Sequence, residues 1–219
     1  MKTVYFVRHG ESTANIGHPV YQGETSELTE RGREQAQFIA KRCKNLRVDA
    51  LFASTATRAR QTAACIAEEI GKEVEVNELF TERKIPKELF GRSTTDPGAV
   101  AMEDEWMMSF FQENLRVGSG ENFSDLKERA LQALEYLLQR PEKHIVVATH
   151  GFFLHMIIAL VTLGDSLTPA EFNRMAPAVW VDNTGLTRIE YRDQVFTRID
   201  GKRHKGWVLR VWNDHAHLG

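Results

Sequence analysis

The chain has 219 residues, of which 42% are hydrophobic and 26% are charged, and its formal net charge is −2. This composition is that of a globular protein, and the small net charge argues against general binding of nucleic acid or another polyanion. The length is sufficient for a buried core, and we predict a single domain over residues 1–219.

Short apolar segments alternate with amphipathic segments along the chain. Residues 4–7, 48–53 and 145–148 are rich in β-branched or aromatic side chains, a pattern typical of strands buried on both faces. Apolar residues between these segments recur at i, i+3, i+4 and i+7, which predicts helices. The helical residues are Ala36, Ile39, Ala40 and Cys43 after a cap at Thr29, then Ala63, Ile66, Ala67 and Ile70 before Gly71.

A third helix is predicted at about 124–139, followed by Pro141. Residues 85–120 carry several prolines and glycines around a helical segment at 100–114, and we interpret them as a cap inserted over the site. The residue pattern of the C-terminal part predicts strands, which a turn and a charged loop connect. The predicted strands are 179–182, 186–191 and 207–212, the turn is 183–185 and the loop is 198–206.

This alternation of strands and helices predicts an α/β fold with a parallel sheet and right-handed crossovers. The expected architecture is a three-layer α/β/α sandwich with a mostly parallel central sheet and an inserted helical cap.

Three predicted strands are followed by residues suited to binding phosphate. Arg8 and His9 follow the first strand. Ser54 and Arg58 follow the second, and His150 follows the third. The carboxyl ends of parallel strands meet at one edge of the sheet, where ligands bind. We therefore predict that two arginines and two histidines converge there.

These residue types suit the hydrolysis of a phosphomonoester. Arg8 and Arg58 can bind nonbridging oxygens and stabilise the transferring group, while His9 attacks phosphorus in line. His150 can donate a further hydrogen bond to the phosphate. Gly151 allows close backbone approach, and the helix that follows it directs its positive N-terminal end at an anion.

Ordered motifs from residue 4 to about residue 190 resemble the histidine phosphatase superfamily, the phosphoglycerate mutase-like group. The matching residues in chain order are Arg8, His9, Gly10, Glu11, Ser12, Asn15, Leu28, Thr29, Glu30, Gly32, Gln35, Ala36, Ser54, Arg58, Ala59, Gln61, Thr62, Leu79, Glu82, Arg83, Gly120, Glu121, Asn122, Phe123, Asp125, His150 and Gly151. Each short motif alone is weak, whereas the ordered set is specific.

The resemblance implies roles for the predicted site residues. His9 is the nucleophile that becomes phosphohistidine, and Arg8, Arg58 and His150 form the phosphate pocket. The resemblance also implies a reaction without a metal or other cofactor. The substrate would be a small phosphorylated metabolite or a phosphoprotein.

Two residues acquire roles only through the resemblance. Glu82 lies where the family places the general acid that protonates the leaving oxygen and then activates water. Asn15 lies where it often places another phosphate contact. Alternatively, Glu82 is a surface carboxylate and Asn15 stabilises its own loop.

The sequence after Glu82 departs from phosphoglycerate mutases, which have a tyrosine- and glycine-containing stretch and a longer insertion there. Residues 83–89 read Arg-Lys-Ile-Pro-Lys-Glu-Leu, which favours a phosphatase. A cofactor-dependent phosphoglycerate mutase is the alternative enzyme, and a non-catalytic phosphate-binding regulatory module is the alternative from another class.

Three other side-chain groups allow a functional and a structural interpretation. The cations Lys84, Lys87 and Arg92 either bind a second anionic group of the substrate or form a solvated surface. The aromatic residues Trp106, Phe110 and Phe111 either line the substrate pocket or pack a helix onto the domain. His204, His215 and His217 lack the spacing of a metal site, so we predict no metal.

The sequence also favours a cytoplasmic protein. Cys43 and Cys65 form neither a disulfide framework nor a metal-binding spacing. The apolar run before Arg8 is too short for a secretory signal, and the apolar stretch 152–163 is shorter than a membrane span of about 20 residues. We expect no membrane association, and the oligomeric state stays open.

Overall fold

A computed structural model describes residues 1–196 and 203–219. The strands are Lys2–Arg8 (β1), Ala50–Ala53 (β2), Val74–Val76 (β3), His144–Thr149 (β4), Leu186–Phe196 (β5) and Arg203–Asp214 (β6). The helices are Glu30–Lys44 (α1), Thr57–Ile70 (α2), Pro97–Ser109 (α3), Phe123–Gln139 (α4), Gly151–Leu163 (α5) and Pro169–Met175 (α6).

All six strands form one sheet in the order β3-β2-β4-β1-β5-β6. β1, β2, β3 and β4 run parallel, whereas β5 pairs antiparallel with β1 and β6 pairs antiparallel with β5. The sheet is therefore mostly parallel, with an antiparallel hairpin added at one edge.

Helices cover both faces of this sheet because side chains along a strand alternate between its faces. In β1, Val4 and Phe6 belong to the hydrophobic core that contains the buried residues of α4 and α5. Tyr5 and Val7 belong to a core that contains Ile39, Ala40 and Cys43 of α1 and Ile66 of α2. The predicted α/β/α sandwich is confirmed.

The predicted helix ends follow from local hydrogen bonds. Thr29 caps α1, because its hydroxyl oxygen accepts the Gly32 N–H at 3.0 Å. Gly71 ends α2 with a left-handed φ of 64°, a conformation in which glycine carries no steric penalty. Asn122 and Asp125 form a reciprocal capping box at the start of α4.

The cap helix α3 differs from the prediction of 100–114, since it runs from Pro97 to Ser109. Asp96 starts it earlier by accepting the Ala99 N–H, and proline is well suited to the first helical position. The chain turns after Ser109 because Phe110 packs into the core against Phe123 and other aromatic rings.

The C-terminal part contains two corrections. Residues 179–182 form no strand, because the carbonyl oxygens of Val179 and Val181 accept hydrogen bonds from the side chains of His155 and Arg8. Residues 203–206 of the predicted charged loop belong to β6, and residues 198–202 of that loop lie outside the described residues.

The remaining expectations concern thiols, metals and membranes. Cys43 and Cys65 are free cysteines. Over residues 1–196 and 203–219, no helix combines the length and apolar character needed to cross a bilayer. The same residues contain no group of three or more His, Cys, Asp or Glu side chains that could hold a metal ion. His215 lies 3.5 Å from Asp182, and His217 lies 3.0 Å from the Thr184 hydroxyl.

Candidate active site

The structure brings Arg8, His9, Arg58 and His150 together at the carboxyl edge of the parallel strands. Arg8 lies opposite Thr149 in the register of β1 and β4, so that His9 and His150 both follow at this edge. The centroids of the two histidine rings are 5.1 Å apart. The Nε atom of Arg58 lies 3.1 Å from Nε2 of His9.

The hydrogen bonds of His9 identify its tautomer. Its Nδ1 lies 2.7 Å from the carbonyl oxygen of Gly10, and a carbonyl can only accept, so Nδ1 carries the proton. The guanidinium of Arg58 can only donate, so Nε2 carries a lone pair. His9 therefore presents an unprotonated Nε2 beside a fixed cation.

Electrostatics keep this ring neutral. Burial lowers the pKa of His9 well below its usual value of 6.5, and the charges of Arg58 and Arg8 lower it further. A neutral imidazole is the nucleophilic form.

We expect two-bond ¹H–¹⁵N NMR correlations to show His9 as the neutral Nδ1–H tautomer at pH 6.5, where a free histidine is half protonated. A lowered pKa means that the protonated fraction of His9 stays below one half as the pH falls through this value. Comparison with a His9→Gln variant assigns the signals. A His9 ring that is mostly protonated at pH 6.5, or one that carries its proton on Nε2, would contradict the geometry.

Both arginines are largely buried cations. Arg58 donates through Nη1 to the hydroxyl of Ser26 at 2.8 Å and to the carbonyl of Gly23 at 3.2 Å. Arg8 donates through Nη1 to the Val181 carbonyl at 2.5 Å, and its buried Nε has no partner in the described part of the chain. Burial lowers the pKa of each guanidinium, which an anion bound between them would counteract.

His150 is fixed through one ring nitrogen only. Its Nε2 lies 2.6 Å from the Ser54 hydroxyl, whereas the buried Nδ1 has no hydrogen-bond partner among residues 1–196 and 203–219. Burial lowers the pKa of His150 well below 6.5, and the charge of Arg58 lowers it further. A buried polar atom without a partner is costly, and a ligand that bonds to it removes that cost.

Glu82 lies at the N-terminus of α5, where the sequence predicts an oxyanion. Its carboxylate accepts the N–H groups of Phe152 at 3.1 Å and Phe153 at 2.9 Å, as well as the Arg83 N–H at 3.0 Å. The positive end of α5 therefore orients Glu82, and these two N–H groups are not open to a substrate in this arrangement.

Asn15 is exposed and bonds within its own loop. Its Oδ1 accepts from the N–H and from the hydroxyl of Ser12, each at 3.0 Å. This is the structural role that the sequence allows, while a phosphate contact through the Nδ2 group stays a prediction.

A cavity of about 700 Å³ adjoins the site, and Arg58 and Glu82 contribute to its wall. Lys84 and Lys87 also line it, as do Tyr21 and Phe90. This places a potential leaving-group pocket beside the phosphate-binding residues.

The other cap residues that the sequence singles out do not line this cavity. Arg92 forms an ion pair with Asp96 at 2.7 Å. Trp106 and Phe110 are only 6% and 2% exposed, and their rings pack against the buried guanidinium of Arg83. Phe111 is 56% exposed. The structural interpretation is therefore the better one for Trp106 and Phe110, whereas the exposed Phe111 fits neither interpretation.

Several polar residues position the site although the sequence assigns them no role in it. Ser26 anchors Arg58, and Asn183 donates through Nδ2 to the carbonyl of His9 at 2.9 Å. Thr62 accepts the Gly10 N–H at 3.1 Å. Ser26 and Asn183 lie in loops without a periodic pattern, so their partners become visible only in the folded chain.

Known proteins with similar sequences and structures place this chain in context. The sequence is 28% identical over 221 residues to "Probable phosphoglycerate mutase GpmB" from Erwinia tasmaniensis, covering 100% of this chain and 95% of that protein. Among solved structures, Bacillus stearothermophilus YhfR has a TM-score of 0.76 at 24% identity, with both chains covered completely.

A mutant phosphoserine phosphatase from Entamoeba histolytica, solved in complex with phosphoserine, has a TM-score of 0.72 at 24% identity, again with 100% of both chains covered. These two structures share the fold. The model of one family, the histidine phosphatase superfamily (branch 1), matches residues 4–200. The chain therefore belongs to the histidine phosphatase superfamily.

Proposed function

We propose that the protein hydrolyses phosphomonoesters through a covalent phosphohistidine on His9. The observation that carries this proposal is the unprotonated Nε2 of a buried, neutral His9, 3.1 Å from Arg58 and next to a second arginine. A nucleophilic nitrogen between two guanidinium groups suits attack on a phosphoryl group, whose oxygens they neutralise.

In the first step, the Nε2 lone pair of His9 forms a bond to phosphorus as the bond from phosphorus to the leaving oxygen breaks. Arg58 Nε redirects its hydrogen bond from Nε2 to a phosphoryl oxygen. Arg8 Nε and His150 Nδ1, which have no partner in the described residues, bind the other oxygens. We propose that Glu82 donates the proton that the leaving oxygen requires.

In the second step, a water oxygen attacks phosphorus and the bond from phosphorus to His9 Nε2 breaks. Glu82 accepts the proton of this water, which restores its first-step form, and inorganic phosphate leaves. The position of Glu82 on the cavity wall supports both roles, because the leaving group and the incoming water use the same side of the phosphoryl group.

We infer that the substrate is a small phosphorylated metabolite, because a cavity of about 700 Å³ suits a small leaving group. A phosphoprotein remains the other substrate to test. The free thiols Cys43 and Cys65 support a reducing, cytoplasmic location.

The second candidate is a phosphoglycerate mutase, which the name of the Erwinia tasmaniensis relative favours. The sequence after Glu82 favours the phosphatase. Arg83 lines the cavity, but its guanidinium is bonded to protein groups, since it donates to the carbonyls of Trp106 and Glu121 and to the Ser109 hydroxyl. A non-catalytic module has less support, because the full set of reactive groups converges.

The experiment that separates these candidates is incubation of the purified protein with phosphosugars, nucleotides, phosphoamino acids and phosphoglycerates. Phosphate release together with an acid-labile phosphoprotein trapped by alkaline quenching supports the phosphatase. Exchange of phosphate between the positions of phosphoglycerate, without net release, supports the mutase. Absence of turnover and of labelling across the panel supports the binding module.

We expect Glu82→Gln to lower kcat for an alkyl phosphate by about 10²- to 10⁴-fold, because glutamine cannot transfer the proton. The rate of phosphohistidine formation should fall less with 4-nitrophenyl phosphate, because its leaving group needs no proton. Rapid-quench kinetics with both esters measure this difference. Glu88→Gln is the matched control, since Glu88 is exposed and bonds to Ser119. Equal losses with the two esters would remove the acid role from Glu82.

A further inference from the structure

A turn at residues 182–185, which we call the C-terminal turn, holds the backbone of Arg8 and His9. The Thr184 N–H donates to the Arg8 carbonyl at 2.9 Å, and the Arg8 N–H donates to the Gly185 carbonyl at 3.3 Å. The side-chain amide of Asn183 donates to the His9 carbonyl at 2.9 Å. Backbone groups on both sides of the nucleophile are thus fixed by one turn.

The same segment also constrains the side chain of Arg8. Arg8 donates through Nη1 to the Val181 carbonyl at 2.5 Å. Burial lowers the pKa of Arg8, and the negative charge of Asp182 acts in the opposite direction. The position of Arg8 in the site therefore depends on the position of the C-terminal turn.

Asn213, at the end of β6, fixes this turn through both ends of its amide. Its Oδ1 accepts the Asp182 N–H at 2.8 Å, and its Nδ2 donates to Asp182 Oδ2 at 2.7 Å. A Cβ on Gly185 would lie 2.0 Å from Asn213 Oδ1, so the turn and the amide are packed against each other.

The backbone reflects the same constraint. Thr184 and Asn213 have positive φ values of 59° and 44°, a left-handed region that non-glycine residues rarely adopt. Such conformations persist when surrounding contacts determine them, and they concentrate at functional sites.

We propose that Asn213 is a positioning residue for the reaction, which acts through the C-terminal turn on Arg8 and His9. This inference rests on the proposed function, and it assigns a role to a residue beyond the segment 4–200 that matches the family. It makes the hairpin of β5 and β6 part of the catalytic framework, because the amide at one end of this hairpin orients the phosphate-binding arginine.

The test is Asn213→Gly, which deletes the amide while glycine keeps the left-handed backbone without strain. We expect kcat/KM to fall by about 10- to 100-fold, since a small displacement of reacting groups has effects of this size. Inorganic phosphate, measured by calorimetry, should bind about tenfold more weakly. Asn183→Ala removes the bond to the His9 carbonyl and a longer bond of 3.5 Å to Asn15 Oδ1, and it should lower kcat more than it raises KM.

Asn45→Gly is the matched control, because Asn45 is an exposed residue at the end of α1. A lower melting temperature of Asn213→Gly, with kcat/KM and phosphate affinity within twofold of the wild type, would reduce Asn213 to a structural residue and overturn the proposal. If the wild type releases no phosphate from any ester, the proposed function fails. Weaker phosphate binding by Asn213→Gly would then still support positioning of Arg8, and unchanged binding would overturn it.

Discussion

His9→Ala is expected to abolish phosphate release, with a loss in kcat of roughly 10⁴-fold or more, and to yield no acid-labile phosphoprotein. Alanine removes the nitrogen lone pair that accepts the hydrogen bond of Arg58 Nε at 3.1 Å. Neighbouring His150 is not expected to replace it, because its Nε2 is bonded to the Ser54 hydroxyl at 2.6 Å and its Nδ1 donates to the phosphate in the proposed mechanism. Phosphate release and alkaline-quench labelling measure both effects.

The control for this variant is His144→Ala, which removes an imidazole at the first residue of β4, at the opposite end of this strand from His150. Circular dichroism and inorganic phosphate binding by His9→Ala verify that its fold and its arginine pocket persist. Retention of more than about 1% of the wild-type activity by His9→Ala would place the nucleophile elsewhere, and full labelling of the variant would identify another phosphorylated residue.

The sandwich could be predicted from sequence because its elements depend on local patterns. The apolar periodicity of α1 and α2, the cap at Thr29 and the left-handed Gly71 are all contained in short segments. The strand β3 was missed, since Val74–Val76 has only three residues and none of them is fully buried. A segment this short gives no usable hydrophobic pattern.

The reactive groups of the site were predictable for a topological reason. Arg8 ends β1 and His9 follows it, while His150 follows the adjacent parallel strand β4. Arg58 is the second residue of the helix after β2, so the order of these residues in the sequence determines where they meet. Glu82 was assigned to the site only through the resemblance to the family.

The groups that hold this site were not predictable. The false strand at 179–182 illustrates the reason, because its backbone partners are the side chains of Arg8 and His155, which are remote in sequence. Asn213 likewise meets Asp182 across 31 residues, and only the folded hairpin brings them together.

Glu121 and Arg129 form a buried ion pair that contributes to the stability of the fold. Arg129 donates to both carboxylate oxygens of Glu121 at 2.7 Å, and the two side chains are only 8% and 11% exposed. Arg129 also donates to the carbonyls of Leu79, Thr81 and Glu82. The carboxylate of Glu121 further accepts the Lys84 N–H at 2.9 Å. This ion pair therefore joins α4 to the segment that carries Glu82.

Glu121→Ala is expected to lower the free energy of unfolding by about 3–5 kcal/mol, because it leaves the charge of Arg129 buried without its partner. For a chain of this size the melting temperature should fall by about 6–20 °C, which calorimetry and urea unfolding measure. Glu69→Ala breaks the exposed pair with Lys44, whose side chains are 30% and 65% exposed, and should cost no more than about 1 kcal/mol. Equal losses in the two variants would show that Arg129 finds other compensation, such as water. In that case the segment that carries Glu82 does not depend on the ion pair of Glu121 and Arg129. The kcat of Glu121→Ala, measured below its melting temperature, would then equal that of the wild type.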